Sequence, residues 1–165
     1  PQLTQNADAL GTPLCSPQVV YDLQQGSITA VDVPTGQSTL LTDTFPTGDS
    51  YTYAAASFRD GWVLSYSLWS GQDAFTHQFF RAPDGTLTEL PQQMYCDARG
   101  TTPVNILDIQ NGLVFLQYAY DTVPVSSYDY EGNPYTYDTY LPVYGIIPLQ
   151  ELLAGSQNYR KLTFD

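Results

Sequence analysis

Two stretches of this chain about 50 residues apart carry nearly the same pattern, which indicates that it is built from repeated units. The segment "SFRDGWVLSYSL" (57–68) aligns with "DIQNGLVFLQYA" (108–119). Each contains an Asp-Gly or Asn-Gly pair followed by an apolar run. Because the glycine of such pairs readily adopts a positive φ, each segment predicts two antiparallel strands joined by a tight turn.

Further runs rich in β-branched and aromatic residues end at Gly, Pro, Asp or Asn, as strands do. Only "PLQELLAG" (148–155) has the pattern of a helix, of about one or two turns. The sequence therefore predicts an all-β chain of antiparallel strands. These strands are predicted at 27–33, 51–58, 61–68, 74–80, 112–120 and 141–149.

A second pattern also recurs, since "VDVPTGQSTLL" (31–41) is similar to "FRAPDGTLTEL" (80–90). Together the two patterns define a unit of about 50 residues that contains four antiparallel strands. The 165 residues suit a single domain. We predict that it contains a partial unit at 18–43 and full units at 50–91 and 101–162.

Repeats of this length with four antiparallel strands are typical of propeller blades. On these motifs, over roughly residues 18–162, the chain resembles the β-propeller superfold, in particular the loosely patterned blades of exported bacterial proteins. The resemblance implies an architecture and not a function. Since closed propellers usually have about four to eight blades, it implies a fragment of a larger propeller or a ring closed by another copy. The alternative is a two-sheet β-sandwich or a barrel.

The charge excludes several classes of partner. The chain has 17 acidic and 5 basic residues and a net charge of −12. Nucleic acids and anionic membrane surfaces both require clustered Lys and Arg, so neither is an expected partner. The apolar runs are also too short for membrane insertion.

The low share of charged residues is typical of secreted β-proteins, and we expect an extracellular or cell-surface location in a bacterium. The targeting segment is expected to have been removed ahead of Pro1.

The two cysteines, Cys15 and Cys96, allow two interpretations. They would form a disulfide if the protein is exported, or they are two buried thiols. A zinc cluster is not expected, because the chain has no CxxC motif and its only histidine is His77. No cofactor is predicted.

The loops at 69–74 and 121–140 are predicted to project from the same side of the repeated units, where binding residues tend to concentrate. A turn signal at 131–134 predicts a hairpin that pairs Tyr130 with Tyr135 and Tyr128 with Tyr137, with all four rings on one side. This ring face either packs on the domain or on another subunit, or is a contact surface. The candidate ligand-binding residues are Trp69, Asp73, Tyr120, Tyr128, Tyr130, Tyr135, Tyr137 and Tyr140.

No catalytic residues are predicted. His77 lies in "AFTHQFF", where alternation groups it with Phe75 and Phe79, which favours a half-buried structural histidine. A weak metal candidate is the "DYEGN" segment, in which Asp129, Glu131 and Asn133 have the oxygen spacing that begins a calcium loop.

These features together predict a non-catalytic extracytoplasmic binding module that recognises carbohydrate or protein at the cell surface through an aromatic loop face. The first alternative is a structural module that self-assembles into a homo-oligomer. The second is a fragment of a glycoside hydrolase, whose two carboxylates would come from the 17 acidic residues.

Overall fold

The computed structural model of the chain describes residues 5–7, 13–15, 19–71, 73–94 and 101–163. These residues form an all-β structure of antiparallel strands with one short helix, which confirms the predicted fold class. The elements are β1 (Gln5–Ala7), β2 (Pro13–Cys15), β3 (Val19–Gln24), β4 (Ser27–Asp32), β5 (Ser38–Thr42), β6 (Tyr51–Phe58), β7 (Gly61–Ser70), β8 (Asp73–Arg81), β9 (Leu87–Glu89), β10 (Gln92–Met94), β11 (Thr101–Pro103), β12 (Asn105–Gln110), β13 (Leu113–Tyr128), β14 (Pro134–Pro148), α1 (Leu149–Leu153) and β15 (Arg160–Lys161).

Three sheets make up most of the described chain, and each consists of strands that follow one another in the sequence. Sheet 1 has the order β3-β4-β5, sheet 2 the order β6-β7-β8-β9, and sheet 3 the order β12-β13-β14-β15. Two further pairs, β1 with β2 and β10 with β11, form small two-stranded sheets. The described sheets do not close into a barrel or a propeller ring, so the propeller-like arrangement stays a prediction.

Sheet 2 buries apolar side chains on both of its faces. Leu64 is fully buried against sheet 1, whereas its neighbour Val63 packs against sheet 3. Because successive side chains of a strand point to opposite faces, a strand covered on both sides has a continuous apolar run, as "WVL" does here. Core 1, between sheets 1 and 2, contains Ile28, Ala30, Leu41, Phe45 and Leu64. Core 2, between sheets 2 and 3, contains Val63, Phe80, Leu90, Val104, Ile106, Ile109, Val114, Leu116, Ile147, Leu149 and Leu152.

The first hairpin turn of sheet 2 lies one residue before the position that the sequence repeat assigns to it. The turn consists of residues 59–60 in sheet 2, but of residues 111–112 in sheet 3, where both residues have positive φ, 53° and 73°. A shift of one residue reverses the direction of every side chain that follows. Val63 and Val114, which the sequence alignment equates, therefore pack into core 2 from opposite sheets.

Hydrogen bonds at the turn end of the sheets add to the packing between them. The Arg81 guanidinium, at the end of β8, donates to the carbonyl oxygens of Leu41 at 2.8 Å and Leu40 at 3.3 Å in sheet 1. The Asp60 carboxylate accepts a hydrogen bond from the backbone N–H of Gly112 at 2.7 Å, which joins sheet 2 to sheet 3. These contacts align the three sheets at the same end.

The helix lies where the sequence predicts it, at the end of β14. It is limited to Leu149–Leu153, and Leu149 and Leu152 are buried in core 2. A helix this short is stabilised by packing and not by its own hydrogen bonds. Its position closes core 2 at the turn end of sheet 3.

Candidate functional site

The connections β4–β5, β7–β8 and β13–β14 lie at one end of the sheets, opposite the short turns described above. Successive connections of an antiparallel sheet alternate between its two ends, so this arrangement follows from the strand order. We call this end the loop side.

A long hairpin projects from the loop side of sheet 3. Strand β13 has 16 residues and β14 has 15, whereas β7 in sheet 2 has 10. At about 3.3 Å per residue, the six additional residues of β13 extend the hairpin by about 20 Å beyond its neighbour. We call residues 121–141 the arm. The sequence predicts a protruding hairpin here, although its strands continue much further than the predicted ranges.

The tip of the arm is a five-residue loop, 129–133, organised by one carboxylate. Asp129 Oδ1 accepts hydrogen bonds from the backbone N–H groups of Glu131 at 2.9 Å and Asn133 at 2.8 Å. Asp129 Oδ2 accepts one from the Asn133 side-chain amide at 3.1 Å. Since both oxygens serve the loop itself, an acidic turn explains the spacing that resembles a calcium loop.

The pairing predicted for the tyrosines is wrong. Tyr135 lies opposite Ser127 and Tyr137 opposite Val125, while Tyr128 lies opposite Pro134 and Tyr130 is in the tip loop. The loop held by Asp129 begins two residues earlier than the predicted turn, and this shifts the register. The four rings therefore do not share one side. Tyr135 and Tyr137 lie on one face of the arm and Tyr128 on the other.

The face that carries Tyr135 and Tyr137 continues the buried side of sheet 3. Along β14 these rings alternate in step with Val143 and Ile147, which are 5% and 0% exposed. Beyond Val143 the same side becomes exposed, and Leu141 is 52% accessible. The two rings lie 5.9 Å apart between centroids. We call this surface the inner stripe. Its apolar and aromatic members are Val123, Val125, Tyr135, Tyr137 and Leu141, and the polar side chains of Ser127, Thr139 and Asp121 lie on the same face.

Trp69 lies on the side of sheet 2 that faces the inner stripe. On β7 it alternates in step with Val63, which packs in core 2. Its indole N–H donates to Thr52 Oγ1 at 3.1 Å, which holds the half-exposed ring in position. Core 2 is therefore bounded on the loop side by Trp69 from one sheet and by the inner stripe from the other. These two surfaces form the candidate site.

The charged groups of the arm lie mainly outside the inner stripe. Asp121, at its base, pairs with Lys161 at 3.0 Å, and this contact raises the pKa of Lys161. Glu131 is in the tip loop and Asp138, opposite Pro124, belongs to the other face. The inner stripe is thus mainly apolar and aromatic, with the hydroxyls of Ser127 and Thr139 on it and one paired carboxylate at its end. This composition suits a partner with an apolar contact surface.

The remaining predicted residues are distributed more widely. Tyr140 lies on the outer face of the arm with Tyr128, and Tyr120 lies on the same face of β13 immediately before the arm. Tyr130 at the tip is 95% exposed. The side chain of Asp73 lies outside the described residues, as do the side chain of Cys15 and all of Cys96. The aliphatic residues of the inner stripe were not predicted, although "TVPV" (122–125) carries the alternation that would have identified two of them.

His77 is half-exposed and held by two contacts. Its Nδ1 lies 2.7 Å from Glu89 Oε1, and its ring stacks on Tyr66 with 4.9 Å between centroids. Partial burial, followed by the charges of Glu89 and Tyr51, raises the pKa of the Tyr66 hydroxyl. These contacts account for the position of His77, and its structural role stays a prediction.

Comparisons with protein-family models, curated proteins and solved structures returned no match. No group of three or more His, Cys, Asp or Glu side chains within the described ranges is arranged to hold a metal ion. Within the same ranges, the structure has no helix with the length and hydrophobicity needed to cross a membrane.

We expect Asp129→Ala to disorder the tip of the arm and leave the melting temperature of the domain unchanged. Hydrogen bonds from the Asn133 side chain and from backbone N–H groups lower the pKa of Asp129. A carboxylate with a lowered pKa stabilises the folded loop above its ordinary pKa, and this contribution is lost as the pH falls through the folded-state pKa. Faster amide hydrogen exchange at residues 130–133 would report the loss.

Two comparisons test this role of Asp129. Wild-type protein well below the ordinary Asp pKa of about 3.9 should show the same loss of protection at the tip, measured against the intrinsic exchange rate at that pH. Asp138→Ala, which removes a carboxylate from the straight part of the arm, should show none. Equal effects of both substitutions would mean that Asp129 has no particular role.

Proposed function

We propose that this chain is a non-catalytic binding module, exported by a bacterium, whose arm docks a protein partner. The observation that carries the proposal is the continuation of the buried side of sheet 3 as the exposed inner stripe. An isolated two-stranded ribbon is marginally stable in water. We therefore expect a partner to cover the exposed apolar side of an arm of this length.

The chemistry of the inner stripe favours a protein over a carbohydrate. Sugars bind to aromatic rings only where neighbouring polar side chains replace the water that their hydroxyls lose. Here the neighbours of Tyr135 and Tyr137 on the same face are mainly Val123, Val125 and Leu141. The polar side chains among them are the hydroxyls of Ser127 and Thr139 and the paired Asp121, which supply few partners for the several hydroxyls of a sugar. Tyrosines and a tryptophan beside aliphatic side chains are instead the usual composition of protein contact sites.

We also propose that the three sheets are propeller-like blades arranged around a common axis. Their first strands contact one another in turn, β3 with β6 and β6 with β12. In a propeller, the innermost strands of successive blades are neighbours around the central channel in the same way. This arrangement would turn the loop connections of all three sheets toward one face.

The binding proposal is tested by selecting peptides from a displayed library on the wild-type protein. We expect Tyr135→Ser combined with Tyr137→Ser to weaken the selected peptides by about 10- to 100-fold, since contact tyrosines contribute about 1–2 kcal/mol or more. The melting temperature should change little, because both rings are about half-exposed. Isothermal titration calorimetry and thermal melting measure the two effects.

The matched control is Tyr128→Ser combined with Tyr140→Ser, which removes two rings from the outer face of the same arm. It should leave the affinity unchanged. Equal weakening by both double variants would contradict the inner stripe as the site. If the wild-type protein bound a defined glycan on an array and the variant with Tyr135→Ser and Tyr137→Ser did not, the partner would be a carbohydrate and not a protein.

A further inference from the structure

The face of sheet 3 turned away from core 2 is an exposed apolar surface separate from the arm. Leu113 is 48% exposed there, and Phe115 and Ile146 are half-buried. They line a shallow depression of about 280 Å³. The opposite face of the same strands is fully buried at Val114 and Ile147. Sheet 3 is thus apolar on both faces, although the described part of the chain covers only one of them.

One cross-strand row of this face has an ordered sequence of side chains. The register places Asp108 beside Phe115, Phe115 beside Ile146, and Ile146 beside Arg160. The row therefore reads acid, apolar, apolar, base across the four strands of the sheet. Its ends are three strand spacings apart, about 14 Å, which is too far for Asp108 and Arg160 to pair within one chain.

We propose that this face binds a second copy of the chain about a two-fold axis parallel to the strands. Rotation about such an axis reverses the order of the strands across the sheet but leaves each residue at the same height along the strands. The row of one copy therefore lies against the same row of the other copy, in the opposite order. Asp108 of each copy then faces Arg160 of the other, and Phe115 of each faces Ile146. In the next row Leu113 faces Pro148, which keeps the centre of the contact apolar.

The charge of the chain favours this pairing over others. At a net charge of −12, most of the surface repels another copy. Arg160 is one of 5 basic residues, and the two-fold arrangement places it against a carboxylate twice. An apolar centre with charged groups at its margin is also the usual anatomy of a protein interface, in which the charges select the orientation.

This dimer goes beyond the proposed function because it uses a different surface from the inner stripe. The two-fold axis runs along the strands, so the arms of both copies project in the same direction. The assembled protein would present two inner stripes on one side.

The test is a charge exchange followed by sedimentation or light scattering. Wild-type protein is expected at twice the chain mass of 18.3 kDa. Asp108→Arg and Arg160→Asp are each expected to be monomeric at the same concentration, with the dissociation constant raised at least about tenfold. An equimolar mixture of these two variants should return to the dimer mass, because each mismatched charge then meets its opposite. One chain carrying both substitutions should also be a dimer.

Several results would overturn the proposal. The first is a wild-type protein that is monomeric. The second is a mixture of Asp108→Arg and Arg160→Asp that stays monomeric although circular dichroism shows both variants to be folded. A third is dissociation by Asp22→Arg, on the exposed face of sheet 1, without dissociation by the sheet 3 variants, because the copies would then be joined through sheet 1. Should a charge reversal disturb folding, Asp108→Asn and Arg160→Gln serve as milder variants, and each must weaken the dimer.

Discussion

Leu64→Ala is expected to lower the free energy of unfolding by about 2–5 kcal/mol, the cost of removing a fully buried leucine from a packed core. For a chain of this size, that corresponds to a fall in melting temperature of roughly 4 to 20 °C. Leu64 is the fully buried residue that sheet 2 contributes to core 1, in the same cluster as Ile28 and Leu41. Truncating it leaves a cavity between sheets 1 and 2. Chemical denaturation monitored by circular dichroism measures the effect.

The matched substitution is Leu40→Ala, which removes the same atoms from a side chain that is 51% exposed on the outer face of sheet 1. Its expected cost is below about 0.5 kcal/mol. If the two substitutions were equally destabilising, Leu64 would not be enclosed between two sheets and the stacking of sheets 1 and 2 would be wrong.

Gly61→Ala is expected to destabilise the fold by about 3–5 kcal/mol, from two causes that act at the same residue. A Cβ on Gly61 would lie 2.5 Å from the carbonyl oxygen of Arg81 and 2.8 Å from the ring of Phe80. The first is backbone of the paired strand β8 and cannot move without breaking the ladder. In addition, the φ of Gly61 is 155°, a conformation that residues with a side chain rarely adopt.

Gly36→Ala separates the two causes, because Gly36 also has a positive φ, 70°, but open space around its Cβ position. It should cost only about 1–2 kcal/mol, for the backbone conformation alone. A Gly61→Ala protein as stable as Gly36→Ala would show that the close approach to β8 relaxes freely.

Strand β4 of sheet 1 and strands β6, β7 and β8 of sheet 2 were predictable because their information is local, whereas β3, β5 and β9 are not among the predicted strands. The run "YTYAAASF" is a strand at the predicted residues 51–58, and those predicted at 61–68 and 74–80 are each present with small extensions. Alternation and turn-forming pairs act over a few residues, so a single sequence is sufficient to reveal them.

The tyrosine register was not predictable from the same signals. The turn signal at 131–134 is real, but the Asp129 side chain organises a longer loop by accepting three hydrogen bonds. A carboxylate that competes for backbone N–H groups in this way shifts the strand pairing, and the shift moves rings between faces. The prediction therefore located the arm correctly and assigned its faces wrongly.

Contacts between distant strands could not be predicted from the sequence, for a different reason. The acid-apolar-apolar-base row on sheet 3 joins residues 108 and 160 through three separate pairings, including one next to a bulge. The contact of His77 with Glu89 likewise depends on how β8 pairs with β9. Each depends on exact register between segments that are separated by loops, and one inserted residue would abolish it.

The continuous order of strands within each sheet also bears on how the chain reaches this structure. Every paired strand in sheets 1, 2 and 3 is next to its partner in the sequence, so backbone pairing requires only short loops to close. Burial does not share this local character, because core 1 requires Leu64 and core 2 requires Val63, both from β7. During synthesis from the N-terminus, sheet 1 can pair its strands early, but it gains its apolar cover only after β7 has emerged from the ribosome. Strand β7 thus determines when sheet 1 becomes stable, and it is already present when the strands of sheet 3 are synthesised.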